Sequence, residues 1–238
     1  FKNHIVVVGY DDFALSITEI LINAGQQVVL ITNNKESVLN IKNRFNSDNL
    51  FVLFSDYNDY LTMQKAGFND ANIVFVNLKT DHDKLISIIN LKSQNPDIKI
   101  LITLDDTTLK KTFENTGVKY IISKQEIASK LIASYIFEPA VADFNLDVLD
   151  TAKSDEDFDV QQFRIVADSV YINKTYGYCF SDIKEKTGAL LIGLNKGDKI
   201  HKIADDSLII GVNDYLIVLV NKSSSHKISQ LLKVKQGI

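Results

Sequence analysis

The sequence predicts an α/β protein whose first half forms a doubly wound, parallel β-sheet. Short runs of β-branched and other apolar residues recur along residues 1–123, and segments with helical spacing separate them. The runs are continuously apolar rather than alternating, which is typical of strands buried on both faces of a parallel sheet. The alternation of such strands with helices indicates a Rossmann-like domain.

Six strands are predicted in this domain, at Ile5–Val8, Val28–Ile31, Phe51–Phe54, Ile73–Val76, Lys99–Leu104 and Tyr120–Ile122. The first helix is predicted at Phe13–Ala24, because its apolar residues share one face, and Gly25 is its expected C-cap. Leu85, Ile88 and Ile89 repeat the helical spacing between the fourth and fifth strands.

A pair of apolar helices, a helix–turn–helix arm, is predicted for residues 124–152. Lys124–Leu149 contains no strand pattern, and Glu138-Pro139 interrupts its helical spacing. Proline inside such a pattern ends or kinks a helix. The two helices are either an arm that packs on a partner or ordinary helices packed on their own domain, and the pattern leaves both readings open.

A small α+β C-terminal lobe is predicted for residues 160–238, after an acidic linker at residues 153–159. Its predicted strands are Phe163–Val166, Ser169–Ile172, Ala189–Leu194, Leu208–Gly211 and Asp214–Val220. Its predicted helices are Ser181–Lys186, closed by Gly188, and Ser224–Val234, and a turn is expected at Asn195–Asp198.

Composition argues against several functional classes. The chain has 238 residues, 45% of them apolar, and a formal net charge of −4, which disfavours both a disordered chain and a protein bound mainly to nucleic-acid phosphate. No apolar run approaches the roughly 18 residues that span a bilayer. Cys179 is the single cysteine, which excludes an intrachain disulfide and indicates a reducing, cytosolic setting. The start at Phe1, without a signal-peptide pattern, is expected of a fragment of a longer protein.

A glycine loop follows the first predicted strand, where a dinucleotide-binding fold carries G-x-G-x-x-G. Gly9 and Tyr10 begin the loop, but Asp11 stands at the second glycine position and Ala14 at the third. A carboxylate at a helix N-terminus complements the helix dipole by itself and would repel a diphosphate. Asn33 follows the second strand in place of the acidic residue that binds ribose. These residues form a degenerate nucleotide loop, so nucleotide binding is disfavoured.

Catalytic motifs are likewise missing from the sequence. The four histidines are scattered, without a serine or cysteine partner at a recognisable spacing. Cys179 lies among Tyr176, Tyr178 and Phe180, a setting more typical of a buried, inert thiol than of a nucleophile. The chain is therefore predicted to be non-enzymatic.

Three features together resemble the RCK family, the cytosolic regulators of potassium conductance. They are the segment His4–Tyr10, the helix–proline–helix at Lys124–Leu149, and the paired segments Thr187–Gly193 and Gly211–Val218. The resemblance covers nearly the whole chain, and the sequence looks most like the calcium-responsive prokaryotic channel members of that family.

The resemblance implies a regulatory Rossmann domain, two crossing helices that exchange contacts with a neighbouring protomer, and a C-terminal ligand-binding lobe. Dimers of such units would assemble into an octameric gating ring at the cytoplasmic face of the cell membrane, together with a potassium channel pore domain. Ligand binding would change the shape of the ring and so gate the pore.

The resemblance also implies a calcium site at the ends of the fourth and fifth strands. The positions that match the family's carboxylates are Asn77, Thr103 and Asp105, of which only Asp105 is acidic. Other acids at the carboxyl ends of strands extend the set, so the candidate ligands are Asp105, Asn77, Thr103, Asp106, Asp56 and Asp81. The acidic members have a second interpretation as helix or turn caps.

Two alternatives stand beside a calcium-sensing channel domain. One keeps the family and proposes a peripheral subunit of a potassium uptake system that senses ATP/ADP or NAD(H), which Asp11, Ala14 and Asn33 disfavour. The other is a degenerate NAD-dependent oxidoreductase, for which the sequence supplies no nicotinamide site.

Overall fold

The computed structural model describes residues 1–149, 154–197, 199–234 and 236–237. The chain divides into two compact units, Phe1–Leu131 and Ile132–Ile238. Each unit has its own core of buried apolar side chains. None of the described helices is both long and apolar enough to cross a bilayer.

Six parallel strands form the sheet of the first unit, in the order β3-β2-β1-β4-β5-β6. They are β1 (His4–Val8), β2 (Val28–Thr32), β3 (Leu50–Phe54), β4 (Ala71–Val76), β5 (Ile100–Leu104) and β6 (Tyr120–Ser123). All six lie where they were predicted. The strand order reverses between β1 and β4, which confirms the doubly wound, Rossmann-like fold.

Helices connect these strands, and side-chain caps determine where several of them begin. They are α1 (Asp12–Asn23), α2 (Lys35–Phe45), α3 (Tyr60–Met63), α4 (Asp81–Gln94) and α5 (Lys110–Asn115). Asp11, Asn34 and Thr80 each accept a backbone N–H of the following turn and so begin α1, α2 and α4. The C-cap of α1 is Ala24, and the predicted cap Gly25 follows it with a φ of 74°.

The two faces of the sheet carry separate cores. Val7 and Phe75 belong to a cluster that includes residues of α1 and α2. Val6 belongs to a second cluster, with Ile88 of α4 and Phe113 of α5. Because side chains alternate along a strand, α1 and α2 cover one face, and α4 and α5 cover the opposite face.

A groove of about 590 Å³ lies on the same face as α1, over strands β1, β4, β5 and β6. Its floor includes Phe75 and Leu101, and its walls come from α1 and from α6 (Lys124–Phe137). At one end the Lys124 ammonium lies 4.2 Å from the ring centroid of Phe13. The lining is almost wholly apolar, so the groove is a hydrophobic surface of the first unit.

The predicted helix–proline–helix is formed by α6 and α7 (Pro139–Asp147). Pro139 is the first residue of α7, where its missing N–H breaks no helical hydrogen bond. No residue of α6 is buried, and Ile136 and Phe137 are 73% and 82% exposed. Val141 and Phe144 continue this exposed apolar surface along α7.

The second unit carries an antiparallel sheet in the order β7-β10-β8-β9. Its elements are β7 (Asp159–Arg164), α8 (Tyr176–Thr187), β8 (Leu190–Lys196), β9 (Lys199–Lys202), β10 (Tyr215–Val220) and α9 (Lys222–Leu232). Ile183 of α8 and Ile228 of α9 share a core with Leu216 and Val218 of β10. This arrangement confirms the predicted α+β lobe.

Two predicted strands of this lobe are wrong. Ser169–Ile172 forms turns, and Leu208–Gly211 is a loop in which Ile209 makes a single bridge to Thr175. Both segments are short apolar runs that pack against the core, since Tyr171 and Ile210 are buried. Burial alone therefore produced a strand-like pattern without a strand.

Other boundaries in the lobe also need correction. The helix α8 begins at Tyr176 rather than Ser181, because Thr175 accepts the N–H of Tyr178 and caps it. The expected turn at residues 195–198 is present but shorter than predicted: Asn195 and Lys196 belong to β8, Gly197 is a turn residue, and Lys196 pairs with Lys199 of β9, while Asp198 lies outside the described residues. An edge strand that carries lysines lacks the apolar run that would have predicted it.

Gly9 holds the turn after β1 in a conformation that other residues rarely adopt. Its φ is 111°, and a Cβ built on it would lie 2.0 Å from the carbonyl oxygen of Asn77. The backbone after β4 therefore passes directly against Gly9. The packing of the sheet's own loops requires this glycine, independently of any nucleotide.

We expect Gly9→Ala to lower the free energy of unfolding by about 3 kcal/mol, because a steric clash adds to the backbone strain. Gly25→Ala is the matched control. Gly25 also has a positive φ, of 74°, but a Cβ there meets no atom within 4 Å, so its loss should be only about 1 kcal/mol. Urea unfolding followed by circular dichroism measures both, and equal losses would contradict the close approach at Gly9.

Candidate functional site

The carboxyl ends of the parallel strands form one edge of the sheet, and most of the predicted site residues lie there. Gly9 follows β1, Asn33 follows β2, Asn77 follows β4 and Asp105 follows β5. Open α/β sheets bind ligands at this edge, near the point where the strand order reverses. This strand-end edge is therefore the candidate site.

The carboxylate of Asp11, in the glycine loop, is hydrogen-bonded to neighbouring groups of the protein. Its Oδ1 accepts a 2.7 Å hydrogen bond from the backbone N–H of Ala14 and another of 2.7 Å from the side-chain amide of Asn77. The carboxylate therefore lies at the N-terminus of α1, where a dinucleotide-binding fold holds a phosphate. A second anion at this position would meet the negative charge of Asp11.

Tyr57 contacts the chain just after β2, beside this loop. Its hydroxyl accepts the backbone N–H of Asn33 at 3.3 Å. Burial raises the pKa of the Tyr57 phenol, so the hydroxyl is protonated at neutral pH. The predicted loop residue Asn33 is thus bonded to an aromatic side chain of the protein.

A buried lysine lies among the predicted acidic ligands. The Nζ of Lys84 is 2.8 Å from Oδ1 of Asp81 and 3.1 Å from Oδ2 of Asp105. The side chains of Lys84 and Asp81 are only 2% and 8% exposed, whereas that of Asp105 is 61% exposed. The ammonium group therefore joins helix α4 to the loop after β5.

Asp81 holds the same loop through the backbone. Its Oδ2 accepts the N–H of Asp106 at 2.9 Å and that of Asp105 at 3.2 Å. Burial by itself would raise the pKa of Asp81, but the Lys84 ammonium and these N–H donors outweigh it and hold the pKa below its usual range. Asp81 is therefore an anion at neutral pH, surrounded by donors from its own chain.

Thr103 faces away from this cluster. It lines the groove on the α1 face, together with Leu101. Its neighbours in β5, Ile102 and Leu104, pack in the core on the α4 face. Because strand side chains alternate between faces, the hydroxyl of Thr103 is on the opposite side of the sheet from Lys84.

The remaining predicted ligands are engaged in local structure. Asn77 donates to Asp11, Asp56 accepts the N–H of Asn58 at 3.0 Å, and Asp106 caps the turn Thr107–Leu109. The structure thus brings together Asp81, Asp105 and the backbone of Asp106, and it leaves Asn77, Thr103 and Asp56 outside that group. Within the described residues, no three His, Cys, Asp or Glu side chains form a group that could hold a metal ion.

Sequence reasoning missed Lys84 and Tyr57. Lys84 carried a usable signal, because Lys84, Ile88 and Leu91 have the spacing of one helical face and all three are buried in α4. A lysine on an apolar helix face requires a buried partner. Tyr57 carried no comparable signal, since it lies in an irregular loop after β3.

In the second unit, acidic residues support local turns. Asp214 accepts the N–H of Gly211 at 2.7 Å and the ammonium of Lys196 at 3.1 Å. Asp205 accepts the N–H of Ser207 at 2.9 Å. Burial raises the pKa of the Cys179 thiol to about 12, so it carries little of the nucleophilic thiolate at neutral pH.

Several relatives of the chain are potassium transport proteins. Probable potassium channel protein 2 of Methanocaldococcus jannaschii is 22% identical over 99% of this chain and 68% of that protein. The calcium-gated potassium channel TvoK of Thermoplasma volcanium is 24% identical over 92% of this chain and 62% of that protein. The Trk system potassium uptake protein TrkA homolog of Pyrococcus horikoshii is 22% identical over 98% of both. The chain thus spans about two thirds of these channel proteins and nearly all of the uptake protein.

Two solved structures share the fold. The human SLO3 gating ring matches 97% of this chain and 46% of its own, with a TM-score of 0.69 at 12% identity. The TrkA-N domain of the inner membrane protein ybaL of Escherichia coli matches 58% of this chain and 98% of its own, with a TM-score of 0.52 at 16% identity. The TrkA-N domain family matches residues 5–124 of the sequence, half of the chain. The resemblance drawn from the sequence is thereby confirmed, and the chain belongs to the TrkA-N (RCK) family of regulatory domains of potassium channels and potassium uptake systems.

Proposed function

We propose that the chain is the cytoplasmic regulatory domain of a potassium-conducting system and that it acts as a homo-oligomer. The observation that carries the proposal is the apolar surface of α6 and α7. No residue of α6 is buried, and Ile136 and Phe137 are largely exposed at its end. Exposure of such an apolar surface to water is energetically unfavourable, and we propose that a second copy of the chain covers it.

A second copy suits this surface because the chain carries both an apolar helix pair and an apolar groove. In a symmetric dimer each protomer offers the same surface to the other, so both features are used twice. Burial of one Ile or Phe side chain contributes roughly 1.5–3 kcal/mol. Several such side chains therefore support a stable dimer against the cost of association.

We further propose that dimers assemble into a ring of eight copies that acts on a potassium channel pore domain. The SLO3 gating ring, whose fold this chain shares, and the channel relatives support this proposal. A ligand that binds one ring shape more tightly shifts the ring toward that shape, by no more than its difference in affinity. This change in the shape of the ring opens or closes the pore.

For the ligand we propose a divalent cation, calcium first, at the strand-end edge around Asp81 and Asp105. The name of the Thermoplasma volcanium relative supports calcium, and Asp105 is open to solvent. Asn77 and Thr103 supply no oxygens to this group, so a bound ion keeps several waters and its affinity is low. The ion also has to displace the Lys84 ammonium.

The two alternatives have less support. A nucleotide sensor requires a phosphate at the start of α1, where the Asp11 carboxylate accepts hydrogen bonds from Ala14 and Asn77. The relative from Pyrococcus horikoshii, a Trk system potassium uptake protein, leaves a Trk-type system open as the partner. It does not make nucleotide binding at the glycine loop more favourable. A degenerate oxidoreductase lacks support among the relatives, which are potassium channel and uptake proteins.

We expect neither NAD⁺ nor ATP to bind the wild-type chain in the low micromolar range, because Asp11 repels the diphosphate. Isothermal titration calorimetry with each nucleotide measures this directly. Low-micromolar binding of either one would instead support the uptake-system alternative.

We expect Ile136→Glu to weaken self-association by at least about tenfold, or about 1.4 kcal/mol, because it places a charge in the proposed contact. Leu39→Glu is the matched control, since Leu39 is an apolar residue of α2 that is 68% exposed, close to the 73% of Ile136. Light scattering coupled to size exclusion measures both variants across a concentration series. A wild-type chain that remains monomeric at high concentration, or equal effects of both substitutions, would contradict the proposed contact.

We expect millimolar calcium, compared with EDTA, to shift the wild-type chain toward larger assemblies, because the ion favours one ring shape. Asp105→Ala should reduce this shift. Asp56→Ala is the control, because Asp56 caps a separate turn at Asn58. If the assembly is the same size in calcium and in EDTA, the ring proposal is unaffected but calcium is excluded as its ligand.

A further inference from the structure

The apolar groove on the α1 face has a polar end and an apolar end. Thr103 of β5 pairs with Ile122 of β6, and Lys124 comes shortly after Ile122, so the two polar side chains lie at the carboxyl end of these strands. Ile5 and Ile73 line the opposite end, near the amino ends of β1 and β4. Sites for small molecules commonly combine a mainly apolar lining with a few polar groups that orient the ligand. This groove therefore suits a ligand with one polar head and one apolar tail.

The hydroxyl of Thr103 has no hydrogen-bond partner in the part of the chain that the structure describes. The Thr103 side chain is 3% exposed and lies on the groove face of β5. A buried hydroxyl without a hydrogen bond is unfavourable, and folded proteins satisfy most of their buried polar atoms. A ligand atom that accepts this O–H removes the cost, so the unpaired hydroxyl points to a hydrogen-bond acceptor in the ligand.

Lys124 supplies a positive charge at the same end of the groove. Its ammonium lies 4.2 Å from the ring centroid of Phe13, and none of the ion pairs formed by the described residues includes it. Lys130, the other lysine of α6, is by contrast paired with Glu126. An unpaired cation near an unpaired hydroxyl favours an acceptor that carries negative charge, and a carboxylate is such a group.

Strand geometry gives the length of the groove. Val76 pairs with Ile102, so Thr103 is level with the residue that follows Val76 on β4. About four strand positions therefore separate Ile73 from the level of Thr103, or roughly 13 Å at about 3.3 Å per residue. An extended hydrocarbon chain of about ten carbons has this length, since a fully extended chain advances about 1.2 Å per bond.

We propose that the groove binds a free fatty acid of about ten to twelve carbons, with its carboxylate at Lys124 and Thr103. The ammonium and the hydroxyl both donate to the carboxylate, and the hydrocarbon chain lies over Phe75 and Leu101 toward Ile5. Burial of the hydrocarbon chain against the apolar lining provides the free energy of binding. The inference goes beyond the proposed function, because it gives the first unit a ligand on the α1 face that is separate from the proposed cation.

Chain length and head group test the proposal on the full protein chain. Isothermal titration calorimetry with hexanoate, octanoate, decanoate, dodecanoate and tetradecanoate measures how the affinity depends on the number of carbons. Each added methylene should tighten binding roughly fourfold while the ligand still fits, and the gain should stop near about ten to twelve carbons, where the groove ends. Decanol, which lacks the charge, should bind at least about tenfold more weakly than decanoate.

Each titration is made on the wild-type chain and on Ile136→Glu. Ile136 does not line the groove, and its substitution weakens the proposed self-association without changing the ligand site. A second copy that packed into the groove would exclude the fatty acid from the wild-type chain but not from Ile136→Glu. Failure of the ligand site is therefore distinguishable from failure of the proposed function.

Two substitutions test the polar end of the groove. Lys124→Met should weaken decanoate binding at least about tenfold and leave decanol binding unchanged, and Lys130→Met on the same helix is the matched control. Thr103→Val should weaken decanoate binding roughly fivefold. It should not lower the melting temperature of the ligand-free chain, because the hydroxyl forms no hydrogen bond with the described residues.

A bulky residue tests the groove itself. Ala128 of α6 lines the groove and is exposed, so Ala128→Trp fills the groove from its wall and should abolish decanoate binding. Ala133→Trp is the matched control, since Ala133 is an exposed residue of the same helix that does not line the groove.

Three results would overturn the inference. An affinity that rises by the same factor through tetradecanoate and is unchanged in Ala128→Trp would indicate adventitious hydrophobic binding only. Equal affinities for decanol and decanoate would show that Lys124 and Thr103 do not hold a carboxylate. No binding of decanoate at millimolar concentration, even to Ile136→Glu, would leave the groove to a second copy of the chain, and Ala128→Trp should then weaken self-association.

Discussion

The handedness of the strand crossovers is the constraint on which the rest of the first unit depends. Right-handed connections between parallel strands place α1 and α2 on one face of the sheet, and α4 and α5 on the other, because the strand order reverses between β1 and β4. The α1 face over β4, β5 and β6 therefore receives no crossover helix. It is bordered by α1 and α6, which leaves an apolar groove there and, on the same chain, an exposed apolar helix pair. The proposed self-association follows from this incomplete cover.

The same topology brings the chain's own charges to the strand-end edge. The Asp11 carboxylate lies where a dinucleotide fold places a phosphate, and the Lys84 ammonium lies between the two acids nearest to the proposed cation position. Both groups stabilise the edge without a ligand: Asp11 caps α1 and engages Asn77, while Lys84 joins α4 to the loop after β5. A ligand that binds at this edge therefore has to displace charged groups of the chain from their present contacts.

Much of the fold could be predicted from the sequence, because buried parallel strands such as Val6–Val8 are continuous apolar runs and Asp11 is a recognisable N-cap. The second unit was harder. Ser169–Ile172 is buried without being a strand, and β9 is a strand without an apolar run. The candidate site was the hardest part to predict, because the face of the sheet on which each side chain lies decides which residues come together. Thr103 lines the groove on one face, whereas Lys84 contacts two acidic residues from different segments on the other. The pairing of Lys84 with Asp105, 21 residues along the chain, leaves no pattern in one sequence, whereas the burial of Lys84 itself is indicated by the helical face that it shares with Ile88 and Leu91.

Hydrogen–deuterium exchange of the intact chain at two protein concentrations tests most directly whether copies of this chain meet through α6 and α7. Association covers the exposed apolar side chains of these helices and stabilises their backbone hydrogen bonds. We expect slower exchange in α6 and α7 at the higher concentration, and unchanged exchange in α9 of the second unit. Exchange in α6 and α7 that stays the same while light scattering shows association would contradict it, because the copies would then meet through another surface.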